Sequence, residues 1–495
     1  MQRVGTCTAE DSCFIKTHSN DVGGPVAVDP SRDVEKAGVG GCNDSETGKT
    51  VTDPEKGATT PDENRLFGSN ENENQDTELD DSSVTGQDDK NDFPEGGLKS
   101  WSVVVGAFCG LFSVFGIINS TAVLLQYMQE NQLKDYSPSE IGWIFGLSLF
   151  LTFFCGAPIG PIFDAYGPKL LIFCGSILLI ASMFLLGLCT QYWHFIMVYS
   201  VLNGIGGALI NTPCIASVGH FFLVKRGNAT GIAMTAGSIG GIIFPLMLQQ
   251  LFPAIGFAWA TRCVGFILVF LLVIANILVQ SRLPRKKIGS FKKICPDLTV
   301  FKDIPFTLVT VGIFFMEWGI FVPLTYITSY VIAHGHSTAF GFQILAIVNA
   351  GSFFGRFFAG LVADMIGRIN TLTLTLAMCV VACLALWLPA SDSTAMVVVF
   401  SVIFGCVSGS NLSLSPVCVG QMCKTEHYGR YFATCWMFVS FGTLTGLPIA
   451  GQILTANGGS YDGLVIFAAL SYTVAMFCLI AARVLRVGWK ITAVY

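Results

Sequence analysis

The sequence predicts an all-α membrane protein of twelve transmembrane helices in two six-helix halves, and three observations carry that prediction. Of 495 residues, 52% are hydrophobic and only 12% charged, with a mean hydropathy of +0.62, whereas soluble domains run near ~25% charged. The charge is also partitioned: residues 1–99 hold 9 Lys/Arg against 22 Asp/Glu, net −13, and the remaining residues hold 19 against 11, net +8. Finally, apolar runs of the roughly 20 residues that a helix needs to cross a bilayer recur twelve times after residue 100. Lipid must be the main solvent of such a chain. A soluble enzyme, a nucleic-acid-binding protein and a secreted disulfide scaffold are thereby disfavoured.

Residues 1–99 are rich in Asp, Glu, Gly, Asn, Ser and Thr. They bury too little apolar surface to offset their ordering entropy, so they are expected to form a disordered, acidic, cytosolic tail. No apolar h-region marks a signal peptide near the N-terminus. Gly48-Lys49-Thr50 looks like the end of a phosphate-binding loop, but Asn43 stands where the first glycine belongs, and no strand or helix flanks it. The stretch is read as solvated tail, and ATP-driven pumping is disfavoured. Residues 100–280 form the first half, with spans near 101–124, 141–162, 169–189, 194–217, 228–250 and 259–280. A basic linker follows at 281–305. The second half, 306–486, has spans near 306–328, 340–362, 370–388, 394–416, 429–453 and 463–484, and a short cytosolic tail closes the chain at 487–495. Small residues recur within spans, as in Gly204-Ile205-Gly206-Gly207-Ala208, and let helix backbones approach closely.

Orientation follows from basic residues, which favour the cytosolic side. With the tail inside, the inner loops and C-terminus hold sixteen Lys/Arg and the outer loops two, Lys134 and Arg262, leaving Arg356 inside a span. Both termini are therefore expected to be cytosolic, most simply at the plasma membrane. Most cysteines of the body are scattered through the spans, and Cys379 and Cys383, one turn apart, have no His or acidic neighbour. Free cysteines of that kind behave as small buried hydrophobes, so no metal, disulfide framework or cofactor is expected.

An internal repeat suggests alternating access. The loop after the second span carries Gly160, Asp164 and Gly167, and the loop after the eighth carries Gly360, Asp364, Gly367 and Arg368, at an offset of 200 residues that Asn211 and Asn411 share. Two six-helix halves around a midplane site suit a secondary transporter. Gly permits the tight turn and close helix contact, while Asp can cap a helix N-terminus and pair with a base. These are candidate gating loops; the plainer alternative is a capped turn without a gating role.

With those residues in view, the chain resembles the major facilitator superfamily, whose signature is a Gly-x-x-x-Asp-x-x-Gly-Arg loop. The second copy matches fully; the first has Pro168 in the basic position, leaving Lys169 to supply charge. Within that superfamily it is similar to the monocarboxylate-transporter-like proteins, especially their fungal branch. Pro94-Glu95-Gly96-Gly97 with Trp101, the stretch from Phe222 through Lys225, Arg226 and Ala233 to Gly240-Gly241, and Gly351 through Arg356 to Asp364 carry the likeness. It covers about residues 94–490 and implies the major facilitator fold and transport.

Two ionisable groups fall well within spans, Glu317 in the seventh and Arg356 in the eighth. An intramembrane charge costs at least ~2.5–3.5 kcal/mol and usually faces a cavity or a partner. The planar fork of Arg356 suits a carboxylate, and the resemblance implies that this arginine binds substrate. Burial and a nearby arginine act in opposite senses on a carboxyl, which makes Glu317 the candidate proton site. A structural arginine pinning helix ends, and a glutamate bonded to backbone or water, are the alternatives. Where animal members have an acid one turn before the arginine, Ser352 stands here, with Glu317 available to replace it. Their first-span lysine is Asn119 here. A lactate-type mechanism therefore does not transfer. Asn119, Asn211, Tyr326, Asn349 and Asn411 are candidate cavity-lining residues, although polar residues in spans also serve as packing glue. His334 and His336 are loop residues with, at most, a pH-sensing role.

The reading is a transporter of a small carboxylate or related organic anion by alternating access, coupled to a proton. Its alternatives are a carrier of a larger metabolite, such as a secondary product or vitamin, and, from another class, a non-transporting membrane sensor. The expected partners are the lipid bilayer, a small-molecule substrate and a proton, with no nucleic acid.

Overall fold

A bare backbone finds no hydrogen-bond partner in lipid, so a spanning chain must satisfy its own N–H and C=O groups, most simply as helices. In the computed structural model, the described residues are 93–284, 298–391 and 393–489, all within one unit, Asp80–Tyr495. The tail before residue 93 with its Gly48-Lys49-Thr50 stretch, linker residues 285–297 and residues 490–495 lie outside them. Among the described residues, eleven helices are long and apolar enough to cross a membrane. One of these, Arg226–Leu278, has 53 residues and contains a break at Gly256, with φ 75° and ψ 169°. Glycine takes that conformation without a Cβ clash. The break separates two spans, which makes twelve.

These are α1 (Gly97–Asn119), α2 (Glu140–Tyr166), α3 (Lys169–Leu186), α4 (Tyr192–Phe221), α5 and α6 (parting at Gly256 within Arg226–Leu278), α7 (Ile304–Ala333), α8 (Thr338–Ile366), α9 (Arg368–Trp387), α10 (Thr394–Gln421), α11 (Thr425–Ala456) and α12 (Asp462–Val487). Local chemistry sets their starts. Ser137 and Glu140 form a capping box ahead of α2, while the Ser337 and Ser393 hydroxyls accept from Phe340 and Met396 N–H to open α8 and α10. Such caps typically contribute about 1 kcal/mol each. Turns of π-helix interrupt α4 at Ile196–Leu202 and end α9 at Ala382–Trp387.

Glycine governs how the helices pack. In the first half, α1 lies along α5 and α6, with Gly116 against Phe244 and Gly106 against Leu278. In the second, α8 and α10 interlock where Gly355 meets the Cys406 carbonyl and Gly405 meets the Val348 carbonyl. The halves meet along two seams, α2 with α11 and α5 with α8. The repeat relates these seams, since α2 corresponds to α8 and α5 to α11.

Candidate functional site

The repeated loops lie where the halves meet. The Asp164 carboxylate accepts the backbone N–H groups of Gly429 at 3.0 Å and Arg430 at 2.9 Å, at the start of α11. Asp364 does the same for Gly227 at 2.9 Å and Asn228 at 2.8 Å, at the start of α5. Each carboxylate thus sits on the positive end of a helix from the other half, an arrangement worth 0.3–1 kcal/mol when exposed and up to ~2 when partly buried. Gly160 rests against the Gly429 carbonyl and Gly360 against the Gly227 carbonyl, so neither has room for a Cβ. Gly167 and Gly367 turn the chain at φ 79° and 100°.

The basic residues of the loops also bond to backbone carbonyls. Arg368 donates to the Leu223 carbonyl. Lys169 bonds instead to the last carbonyls of α6, Asn276 at 2.7 Å and Ile277 at 2.9 Å, all within the first half. Arg226 reads as an ordinary loop base in the sequence but is only 1% exposed. It donates to the carbonyls of Phe222, Gly219 and Gly420 and to the Thr425 hydroxyl, and lies 5.2 Å from the centre of the Tyr428 ring. Glu95 is likewise more than a motif residue: its carboxylate accepts the N–H groups of Leu223, Val224 and Lys225 at 2.6, 2.6 and 3.0 Å. The lead-in to α1 is thereby tied to the turn that opens α5.

Deeper along the same seams is a cavity between the halves. Its polar wall comprises Asn119, Asn211, Glu317, Asn349, Ser352, Arg356 and Ser408, and Phe115, Phe153, Met234, Phe321 and Trp436 are among its apolar residues. The α1 and α7 helices, from opposite halves, hardly touch. The cavity volume is about 60 Å³, above the roughly 10–15 Å³ needed to hold a water.

The α5 helix supplies a bare face on which the site is assembled. A Cβ at Gly237 would stand 2.5 Å from Arg356 Nη1, and one at Gly241 would stand 2.8 Å from Asn349 Oδ1 and 3.0 Å from Asn119 Nδ2. Arg356, 5% exposed, reaches across the seam so that Nη1 donates to the Met234 carbonyl at 2.6 Å. Its Nε donates to Ser352 Oγ at 3.2 Å. Ser352 therefore occupies the acid's position as a neutral partner of the arginine. Asn119 donates to the Gly237 carbonyl at 3.0 Å, and Asn349 to Leu345, one turn back on its own helix.

Glu317 is 1% exposed, and its Oε1 has no hydrogen-bond partner. It shares the cavity wall with Arg356, yet no ion pair joins them, so Glu317 does not stand in for the missing acid in this conformation. Tyr326 is not on the wall; its hydroxyl points to the Leu447 carbonyl, at 3.5 Å, in α11. Asn411 is also away from it, bonded to Thr375 and Cys379 inside the second half. Sequence reasoning did not pick out Trp436 or Phe153. Both sit in ordinary apolar patterns, and only their stacking across the seam, 4.6 Å between centroids, distinguishes them.

Comparison with known proteins places these features in context. A family model described as Major Facilitator Superfamily matches residues 105–446. The chain is 37% identical over 399 residues to the MFS-type transporter opdF of Penicillium oxalicum, covering 81% of this chain and 93% of the relative. It is 35% identical over 419 residues to the riboflavin transporter MCH5 of Saccharomyces cerevisiae, covering 80% of each. It is also 36% identical over 369 residues to the aspyridones efflux protein apdF of Emericella nidulans, covering 74% of each. Among solved structures, the human organic anion transporter MFSD10 shares the fold at a TM-score of 0.63 and 15% identity, covering 77% of this chain and 99% of that one.

Proposed function

This chain belongs to the major facilitator superfamily and is a multi-pass membrane transporter, and on that premise we propose that it carries a metabolite larger than a lactate-type acid. The observation that carries this reading is the cavity wall: apart from Arg356 and Glu317 it consists of amides, hydroxyls and large apolar or aromatic side chains. A site for a small carboxylate needs charge and little else, whereas here most of the lining is apolar or neutral. Relatives named for riboflavin transport and aspyridone efflux support the larger cargo over the small carboxylate. The monocarboxylate-like branch remains a likeness in motifs alone.

In this reading, Arg356 anchors an oxygen of the cargo, and Asn119 and Asn349 contribute further hydrogen bonds. The Asp164 and Asp364 latches hold the basic-loop end shut while the other end loads. Opening reverses the arrangement, so each side gains access in turn. Glu317 is the proton site: its unpartnered oxygen on the cavity wall is the observation that favours proton coupling. Both termini and the basic linker face the cytosol at the plasma membrane, in keeping with the excess of Lys/Arg in those segments.

The test is transport of a panel of secondary metabolites, vitamins and small carboxylates by vesicles holding the full chain, with internal pH recorded in the same run. One of the larger solutes should move, accompanied by a pH change, and Arg356→Gln should reduce its flux at least roughly tenfold, as expected for losing a charged hydrogen bond, with the protein still in the membrane. Full flux in Arg356→Gln removes the anchor. Flux of lactate-sized acids alone removes the larger cargo, and flux at constant internal pH removes the proton.

A further inference from the structure

We propose that the cargo is a planar, conjugated ring system bearing an anionic or enolic oxygen, and that Trp436 and Phe153 select it by stacking. The proposal rests on the reading of this cavity as a site for a larger metabolite and specifies the chemistry that the site takes.

The ring platform is built from both halves. Phe153 comes from α2 and Trp436 from α11; their rings lie 4.6 Å apart at 28°, and both line the cavity. Phe115 and Phe321 add further aromatic surface to the wall. Aromatic faces prefer offset-stacked or edge-on partners, which a saturated ring cannot provide as well. The wall would therefore distinguish a flat solute from a puckered one of the same size and charge.

Unsatisfied polar atoms complete the specification. Trp436 is only 6% exposed and its indole N–H has no acceptor. Asn211 Oδ1 and Glu317 Oε1 are also buried without partners, and both residues line the same cavity. Arg356 has two nitrogens engaged by Ser352 and Met234, while Nη2 finds no acceptor among the described residues. Buried polar groups in proteins are normally paired. One cavity thus carries spare donors on Arg356 and Trp436 and spare acceptors on Asn211 and Glu317. A flat molecule with a ring oxygen or carboxylate on one edge and an N–H or O–H on another matches that set. A simple aliphatic acid would use the arginine and leave the rest unmet.

The experiment measures binding to the purified full chain in lipid nanodiscs with two probes of equal charge and similar size, 2-naphthoate and decalin-2-carboxylate. The wild type should prefer naphthoate by roughly tenfold. In Trp436→Leu the preference should fall to near parity, with a melting temperature in nanodiscs close to wild type showing that the fold survives; Trp436→Phe should keep the preference. Arg356→Gln should weaken both probes alike. Equal binding of the two probes by wild type, or no binding of naphthoate, overturns the proposal. A preference that persists in Trp436→Leu overturns the assignment to Trp436. The underlying reading fails separately: it is lost if lactate binds and neither bicyclic acid does, whereas binding of decalin carboxylate alone leaves it standing and removes only the planar ring.

Discussion

Arg356 reaches across the seam only because Gly237 has no side chain, since a Cβ there would stand 2.5 Å from Nη1. In Gly237→Ala the guanidinium must withdraw from the Met234 carbonyl, losing a charged hydrogen bond of about 1.5–3 kcal/mol. Transport should fall by roughly tenfold or more while the amount of protein in the membrane stays close to wild type. A vesicle flux assay normalised to protein checks this, and unchanged flux shows that the arginine position is not critical. The two charges that stand out in the sequence also separate at this scale. Arg356 has a neutral neighbour in Ser352 and a backbone partner in the other half, whereas Glu317 has a bare oxygen. An intramembrane charge in the sequence announces a site but says nothing about its partner.

The latches belong to the scale of helices. Each motif aspartate binds two N–H groups at the N-terminus of a helix in the opposite half, so the two copies tie the halves together reciprocally. Asp364→Asn removes the charge but keeps one acceptor. At about 1 kcal/mol for the charge on the helix terminus, the local opening equilibrium shifts roughly fivefold. Amide hydrogen exchange at Gly227 and Asn228 should accelerate by that factor, and Asp164→Asn should do the same at Gly429 and Arg430. Unaltered exchange in both variants would show that the carboxylates do not hold this end. Arg226 links the halves by a different means, since it joins carbonyls at the ends of α4 and α10 and needs no acid. The 200-residue repeat makes the two Asp latches legible in the sequence. Arg226 is not legible, because a base followed by a helix looks the same whether solvent or another helix surrounds it.

At the scale of the molecule, the acidic tail is dispensable for alternating access if the two halves and their seams form the whole transport unit. Deleting residues 2–90 should leave the flux per protein within about twofold of the full chain, since the seams and the cavity wall are built from residues after 93. Loss of flux on deletion, with the protein still membrane-inserted, would return the sensor class to consideration. The deletion spares Glu95, whose carboxylate holds the turn at Leu223–Lys225; a deletion extended through it is a different experiment.

The sequence by itself determined the twelve spans, the break between six and six, the charge bias of the loops and the repeat that marks the two aspartates. Each is a sum or a spacing along one dimension: hydropathy over about 20 residues, basic residues per loop, identical letters at a fixed offset. Gly256 shows the limit even there, because hydropathy separates α5 from α6 while the helical hydrogen bonding runs on until one glycine turns. Tertiary structure alone decided what faces the cavity. It set Tyr326 and Asn411 elsewhere, left Glu317 without Arg356, and brought Phe153 and Trp436 together from opposite halves. The physical reason is that in lipid no hydrophobic force tells one apolar helix face from another. Which faces meet is decided by shape, chiefly where glycines on α5, α8 and α10 let backbones touch, and shape complementarity between distant segments has no period for a sequence to display.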